Sequence, residues 1–200
     1  MEIFRYGQTE IDHLKRRDKK LGGAIEMIGP IKREIRPDPF AALIMGVVAQ
    51  QISNKAADAV RGRLRTLLEE ITPARIAETD VSHMQKCGLS ARKAAYIKGI
   101  ADAAVRGEID FSRFPEMADE DIIDQLSSLR GIGVWTAEML LLFSLCRPDV
   151  VSWGDLAIRR GMMNLYGLKK LTKEQFDRYR RRYSPYGSVA SLYLWALSRM

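Results

Sequence analysis

The stretch Leu129-Arg130-Gly131-Ile132-Gly133-Val134-Trp135-Thr136-Ala137-Glu138 decides how this chain is interpreted. It joins an acidic amphipathic pattern over residues 119–128 to an almost wholly apolar pattern over residues 134–145, and both indicate helices. The two glycines allow positive φ and a close approach of the backbone, and the first N–H groups of the second helix have no partner within it. A helix-hairpin-helix over residues 119–145 therefore suits a phosphate. The alternative is that the glycines only close a tight turn between two helices.

One carboxylate follows 22 residues after Gly133, in Trp153-Gly154-Asp155-Leu156-Ala157-Ile158-Arg159-Arg160. Asp155 stands where a helix over residues 156–166 is predicted to begin, so one interpretation is that it only caps that helix. The other is catalytic, because a carboxylate in a desolvated site stabilises positive charge on a sugar ring and orients water. The two roles are compatible, since a residue at a helix start is held rigidly.

Other segments of the sequence also contribute to a resemblance to a known family. With the two stretches above, they resemble the helix-hairpin-helix-Gly/Pro-Asp DNA glycosylases of base excision repair, and in particular the alkylation-repair branch of 3-methyladenine DNA glycosylase II. These segments occur in the family's order from about residue 38 to the C terminus, which is more specific than any single motif. They are residues 38–43, 49–57, 88–97, 149–161 and 183–191.

The resemblance implies a monofunctional enzyme that hydrolyses the N-glycosidic bond of alkylated purines in duplex DNA and leaves an abasic site. Asp155 would be its catalytic residue. An alkylated purine such as 3-methyladenine already bears positive charge and leaves readily, so no strong general acid is required. The alternatives are a related glycosylase for another lesion and a non-catalytic module that binds damaged or branched DNA. Asp155 argues against the module, because phosphate binding gives no reason for a carboxylate beside DNA.

The fold predicted from the residues is all-α, because helical periodicity runs along the chain and no series of β-hairpins interrupts it. The resemblance implies a single glycosylase domain over residues 1–200. Its two helical lobes would comprise roughly residues 39–122 and residues 1–38 plus 123–200, with the active-site cleft between them. Larger members of the branch have an additional N-terminal β-rich domain, for which the residues before Asp38 leave no room.

Composition agrees with these expectations without proving them. A formal charge of +7 favours an anionic partner, here duplex DNA, although excess charge also serves solubility. The first twenty residues are rich in charge and no run approaches 18 apolar residues, so we expect no membrane partner and a cytoplasmic location. Cys87 and Cys146 have no metal or redox spacing and are expected to be reduced thiols. We expect a monomer.

The resemblance also assigns contacts to DNA. Base excision requires that the damaged nucleotide be extruded and the gap filled, and the position that matches the family's wedge is Gln51, with Ile52 adjacent. Well-known members have leucine there; the alternative is that Gln50 and Gln51 cap their helix while Ile52 packs in the core. Phosphate contacts are expected from the hairpin and from basic side chains, for which a solvated helix face is the commoner role. The hairpin residues are Leu129, Gly131, Ile132, Gly133 and Val134, and the basic side chains are Lys93, Arg92, Arg159, Arg178, Arg180, Arg181 and Arg182.

The base pocket is expected to be aromatic, because a cationic base is attracted to electron-rich ring faces. The resemblance places five residues at this pocket, and by frequency alone each is more often core. Met139 stands where relatives can have an aromatic residue, and Trp153 where many have proline. The five are Trp135, Met139, Trp153, Tyr186 and Trp195.

Two features of other branches are missing from the sequence. Strand-cleaving relatives have a lysine where this chain has Trp135, and their iron–sulfur cysteines are absent too, so no lyase activity and no iron–sulfur cluster are expected. No cofactor is required. In this family the hairpin carbonyls, here those of Ser127, Leu129 and Ile132, can hold a Na⁺ or K⁺ ion that bridges to phosphate, although no side chain encodes such an ion.

Overall fold

The computed structural model describes residues 2–200. Within that range the secondary structure is helical, apart from one isolated antiparallel bridge between Ile3 and Glu34, and no strand is present. The all-α prediction is therefore confirmed. None of the helices in the described part of the chain is long and apolar enough to cross a membrane.

Twelve α-helices and one 3-10 helix, η1, follow one another over residues 2–200. Their bounds are α1 Gln8–Arg17, α2 Lys19–Ile28, α3 Pro39–Ala49, α4 Asn54–Leu68, α5 Pro73–Glu78, α6 Val81–Lys86, α7 Ala91–Val105, η1 Phe111–Glu116, α8 Asp119–Ser127, α9 Val134–Phe143, α10 Leu156–Tyr166, α11 Lys173–Tyr183 and α12 Gly187–Leu197.

Several helices begin where a short polar side chain satisfies a backbone N–H group. The carboxylate of Asp38 accepts the N–H of Ala41 at the start of α3, and the hydroxyl of Ser90 accepts the N–H of Lys93 at the start of α7. Such a cap is worth about 1 kcal/mol. Asp18 caps α2 in the same way through Leu21.

The chain forms two compact units, one of residues 2–35 with 141–200 and one of residues 36–140. Their boundary lies inside α9, whereas the sequence placed it near residue 122. Residues 123–140 group with the second unit because the hairpin packs there. The side-chain amide of Gln50 donates to the carbonyl of Gly131 at 3.1 Å, and the ring of Tyr96 lies against Gly131.

In the first unit α12 is buried along most of its length, and α2 and α10 pack against it. Gly161 makes the close approach of α10 possible, since a Cβ there would lie 1.9 Å from the carbonyl oxygen of Leu194. This contact fixes the position of α10 and therefore of its first residues. In the second unit the buried helix α3 packs against α4 and α7.

Candidate active site

The hairpin between α8 and α9 is a short series of turns. The N–H of Ile132 donates to the carbonyl of Leu129 at 3.1 Å, and the carbonyl of Gly133 accepts the N–H groups of Thr136 and Ala137 at 2.9 and 3.1 Å. Gly133 is thus the residue from which α9 starts. The N–H groups of Gly133 and Val134 precede the first internal donors of the helix and point out of its N-terminal end.

The two hairpin glycines differ in whether the fold itself requires a glycine at that position. Gly131 has φ +89°, and a Cβ there would lie 2.2 Å from Cδ2 of Tyr96, so the fold itself requires it. Gly133 lies outside the left-handed region, and no atom lies within 4 Å of the position its Cβ would take. Packing therefore gives no reason for glycine at 133, and the backbone there is open to a ligand. Val134 and Trp135 beside it are exposed, Trp135 by 45%.

The loop after α3 presents the residues expected to fill the DNA gap. Gln51 is exposed and has φ +57°, and Ile52 is 40% exposed. The alternative that Ile52 packs in the core is therefore wrong. Gln50 turns the other way and holds the hairpin through the Gly131 carbonyl. We call residues 50–53 the wedge loop.

Lys93 differs from its sequence assignment. Its half-buried ammonium donates to the carbonyls of Val48, at 2.9 Å, and Gln50, so its donors hold the wedge loop rather than face outward to DNA. The physical reason is that carbonyls at the end of α3 have no partner within the helix and carry its negative dipole end. Burial, with a smaller contribution from Arg92, lowers the pKa of the Lys93 amine.

Packing alone does not hold the wedge loop. A cleft of about 310 Å³ adjoins the loop, and its lining includes Val48, Val60 and Leu89. The hydrogen bonds from Lys93 and the bond from Gln50 to the hairpin contribute to fixing the position of the loop. They also join the wedge loop to the hairpin within one unit.

Asp155 belongs to the other unit and is 7% exposed. Its Oδ1 accepts the N–H groups of Ala157 at 2.8 Å and Ile158 at 2.9 Å, so it caps α10. Capping is therefore one role of Asp155, and it fixes the carboxylate rigidly at the end of a helix that favours negative charge.

The loop that leads to Asp155 is fastened to α12. The hydroxyl of Ser188 accepts the N–H of Val150 at 2.9 Å, and the hydroxyl of Ser191 donates to the Val150 carbonyl at 2.8 Å. The N–H of Gly187 donates to Asp149 at 3.0 Å. The resemblance singled out residues 183–191 but gave a role only to Tyr186. The structure gives Gly187, Ser188 and Ser191 the role of fastening the Asp155 loop.

An aromatic stack lies in the same unit as Asp155. Trp195 on α12 stacks on Phe143 with ring centroids 5.3 Å apart, and the guanidinium of Arg33 lies 4.7 Å from the Phe143 centroid. Sequence reasoning missed Phe143. Its spacing was a usable signal, because Trp135, Met139 and Phe143 recur every four residues and so share one face of α9.

Trp153 and Arg159 have partners of their own. The guanidinium of Arg159 lies 4.8 Å from the Trp153 centroid, and the amine of Lys173 lies 5.7 Å from it. Phe176 packs against the same ring edge-to-face at 5.2 Å. A ring with two cations of its own chain over it is poorly placed to receive a third, so we leave Trp153 and Arg159 out of the proposed site.

Tyr186 is half-buried and packs edge-to-face with His13 at 5.2 Å. The His13 Nε2 lies 2.9 Å from the carbonyl oxygen of Ser184, which steadies this pair. Both residues belong to the unit of Asp155, whereas Trp135 and the half-buried Met139 belong to the unit of the hairpin.

Over residues 2–200, no group of three or more His, Cys, Asp or Glu side chains is arranged to hold a metal ion. Cys87 and Cys146 are free thiols, and burial raises the pKa of each. At the hairpin, the Leu129 carbonyl that accepts the Ile132 N–H retains a second lone pair. That carbonyl chemistry fits a monovalent cation.

Comparison with known proteins gives a consistent result. Residues 44–185 match the HhH-GPD superfamily of base excision DNA repair proteins. The chain is 35% identical to DNA-3-methyladenine glycosylase 1 of Schizosaccharomyces pombe over 94% of this chain and 86% of that protein.

Solved structures of similar fold point to the same family as the sequence matches. A DNA-3-methyladenine glycosidase from Bacillus halodurans superimposes with a TM-score of 0.89 and 33% identity, over 99% of this chain and 93% of that one. The Schizosaccharomyces pombe 3-methyladenine DNA glycosylase in complex with abasic DNA superimposes with a TM-score of 0.83 and 33% identity, over 96% and 98% of the two chains.

Proposed function

The chain belongs to the HhH-GPD superfamily of base excision DNA repair proteins, and from this membership we propose a monofunctional glycosylase that resembles 3-methyladenine DNA glycosylase II. It hydrolyses the N-glycosidic bond of alkylated bases in duplex DNA. The observation that carries the proposal is the rigid placement of the buried Asp155 at the head of α10, in a chain similar to glycosylases over nearly its whole length.

Asp155 performs the chemistry by electrostatics. As the bond between base and deoxyribose breaks, positive charge develops on the sugar, and a fixed carboxylate stabilises that charge and orients the attacking water. The capping bonds to Ala157 and Ile158 engage Oδ1 and hold the group in place. No reorganisation of Asp155 is then required when the charge appears. The leaving base of an alkylated purine is already cationic, so a second carboxylate is unnecessary.

Water, and not an amine, is the nucleophile. Trp135 takes the position at which strand-cleaving relatives have a lysine. Lys93, whose lowered pKa would otherwise make it a candidate, has its ammonium hydrogen-bonded to the carbonyls of Val48 in α3 and Gln50 in the wedge loop. The product is therefore an intact strand with an abasic site.

The flipped base is received by aromatic side chains. Trp195, stacked on Phe143, and Tyr186 lie in the unit of Asp155. Trp135 and Met139, in the hairpin unit, remain predicted contacts of the base. Electron-rich ring faces favour a cationic base over a neutral one.

Two loops of the other unit hold the DNA. The open backbone at Gly133 and Val134 receives a phosphate, while Gln51 and Ile52 enter the gap left by the extruded base. A Na⁺ or K⁺ ion held by the carbonyls of Ser127, Leu129 and Ile132 would add positive charge beside that phosphate. The reaction requires no other cofactor. We propose that the protein acts as a monomer, in the compartment that holds the chromosomal DNA.

The test is direct. Purified protein is incubated with duplexes that each carry one defined lesion, including 3-methyladenine, and the released bases are identified by mass. We expect alkylated purines to be released and Asp155→Asn to release almost none. Binding of lesion duplex without release of any base would assign the chain to the non-catalytic class, and release of only non-alkylated bases would assign it to another lesion.

A further inference from the structure

The positive charge of the protein is divided unequally between its two units. Residues 2–35 with 141–200 carry 19 Lys and Arg against 10 Asp and Glu, a net charge of +9, whereas residues 36–140 carry 13 against 15, a net charge of −2. The second unit includes the hairpin and the wedge loop, and the first turn of its helix α8 is acidic, with Asp119, Glu120 and Asp121. The unit proposed to grip the lesion therefore supplies no net attraction for DNA.

The excess positive charge of the first unit is concentrated in two segments, residues 15–20 and residues 169–182. The first carries five basic residues and one acidic, the second seven basic and two acidic. The two are joined through Asp18, which is 4% exposed and accepts hydrogen bonds from Tyr166 at 2.6 Å and Arg182 at 3.0 Å. The helices α1 and α11 also pack together. We call these two segments the basic face.

A cleft of about 420 Å³ lies in the basic face. Four cationic side chains line it, namely Arg17, Lys19, Lys20 and Arg182. Asp18 is also at its wall, but its Oδ1 accepts the N–H of Leu21 and its Oδ2 accepts from Tyr166 and Arg182. The carboxylate is therefore satisfied within the protein.

Of the four cations, only Arg182 has a carboxylate partner. Within residues 2–200, Arg17, Lys19 and Lys20 take part in no salt bridge, and all three are exposed. Like charges crowded around one depression repel one another, so an anion that enters it is stabilised by all of them. The charge of the cleft suits a phosphate group of a nucleic-acid backbone, and its volume is large enough to admit one.

We propose that the basic face binds backbone phosphates of duplex DNA outside the lesion site and holds the enzyme on undamaged DNA. This inference rests on the proposed function only in the choice of partner: an enzyme of duplex DNA meets phosphates in excess over any other anion. Since the hairpin unit has a net charge of −2, the basic face supplies the long-range attraction that brings the enzyme to DNA.

The experiment neutralises the three cations that have no carboxylate partner, in the variant Arg17→Gln/Lys19→Gln/Lys20→Gln. Affinity for an undamaged duplex is measured by fluorescence anisotropy across a series of KCl concentrations. The slope of log K against log salt is negative, and each lost phosphate contact makes it less steep by about 0.9. For three lost contacts we therefore expect its steepness to decrease by about 2 to 3. Release of base at saturating enzyme in single-turnover conditions should be unchanged, because the cleft does not touch the reacting atoms.

Two control variants distinguish an effect of the cleft from an effect of the overall net charge of the protein. Arg65→Gln/Lys86→Gln/Arg113→Gln removes the same charge from exposed residues of the other unit, and it should leave the slope nearly unchanged. The charge-keeping variant Arg17→Lys/Lys19→Arg/Lys20→Arg should retain the parental slope. Thermal melting checks that each protein is folded.

An unchanged slope for the cleft variant, or an equal decrease in the matched control, would overturn the proposal in favour of an acidic protein partner or of solubility alone. The outcome is independent of the proposed function. If the parent releases no base yet the cleft variant alone loses its salt dependence, the basic face stands and the glycosylase assignment fails.

Discussion

Replacement of Gly133 by valine tests the hairpin as a phosphate grip. The structure leaves open space where a side chain at residue 133 would project, and the backbone there has an ordinary φ. The variant should therefore fold. It should bind lesion duplex poorly, because the valine side chain occupies the space through which a phosphate reaches the N–H groups of Gly133 and Val134.

The expected magnitudes differ for folding and binding. Replacing a glycine whose conformation other residues can adopt stabilises a protein by about 0.4–1 kcal/mol, because the unfolded chain becomes less flexible. Losing glycine from the position before a helix destabilises it by about the same amount. The free energy of unfolding should thus change by less than about 1 kcal/mol. Two hydrogen bonds to a charged phosphate contribute about 1.5–3 kcal/mol each, so binding should weaken by about 10²- to 10⁴-fold.

Gly131→Ala is the matched comparison two residues away, and its expected pattern is the reverse. Its left-handed conformation costs an alanine about 1–2 kcal/mol, and the ring of Tyr96 must move to admit the Cβ at a further cost of about 1–3 kcal/mol. We expect Gly131→Ala to lower the melting temperature by several degrees. Gly133→Val should melt like the parent.

Melting by circular dichroism and anisotropy titration of lesion duplex at one salt concentration complete the test. A folded Gly133→Val that binds as tightly as the parent would show that Gly133 only closes a turn. A Gly133→Val that unfolds would show that the open space does not exist in solution. Gly133→Ala, with a smaller side chain, should fall between parent and valine in affinity.

Three further predictions concern the chemistry and the wedge loop. Asp155→Asn keeps a capping oxygen but loses the charge, so lesion binding should persist while single-turnover release falls by about 10³-fold; near-parental release would reduce Asp155 to a cap. Lys93→Met removes two charge-assisted hydrogen bonds, worth about 1.5–3 kcal/mol each, and should slow base flipping, measured with a fluorescent base analogue beside the lesion, while Lys93→Arg restores most of it. Parental flipping in Lys93→Met would mean that the loop needs no such support. Borohydride added during turnover should trap no protein–DNA adduct, since Trp135 replaces the amine, and an efficient adduct would contradict hydrolysis by water.

Sequence patterns predicted most helices because capping residues and apolar periods are local. The helix over residues 156–166 was predicted with the bounds that the structure has, and the helix over residues 119–128 was predicted within one residue of α8. Short pieces without a full period were not predicted, namely α6 and η1. The unit boundary was also misplaced, because it depends on the contacts of Gln50 and Tyr96 with Gly131, which lie far apart in the sequence.

In the candidate site, the hairpin glycines and the position of Asp155 before a helix were predicted from local sequence patterns. The contacts of Lys93 were not predicted, because its acceptors are main-chain carbonyls 43 and 45 residues away, and any residue type could supply them. Trp153 was assigned to the pocket by resemblance, and only the structure shows the cations of Arg159 and Lys173 over its ring.

The two halves of the proposed reaction are supported by different residues. The hairpin and wedge loop are held by Gln50, Lys93 and Tyr96, whereas the Asp155 loop is held by Ser188 and the other buried groups of α12. No hydrogen bond in these two sets is shared. Each geometry therefore exists before DNA arrives, which is the condition for fixed dipoles and charges to act without reorganisation. A change in one set should alter either DNA binding or the chemical step, and this separation lets the two be measured apart.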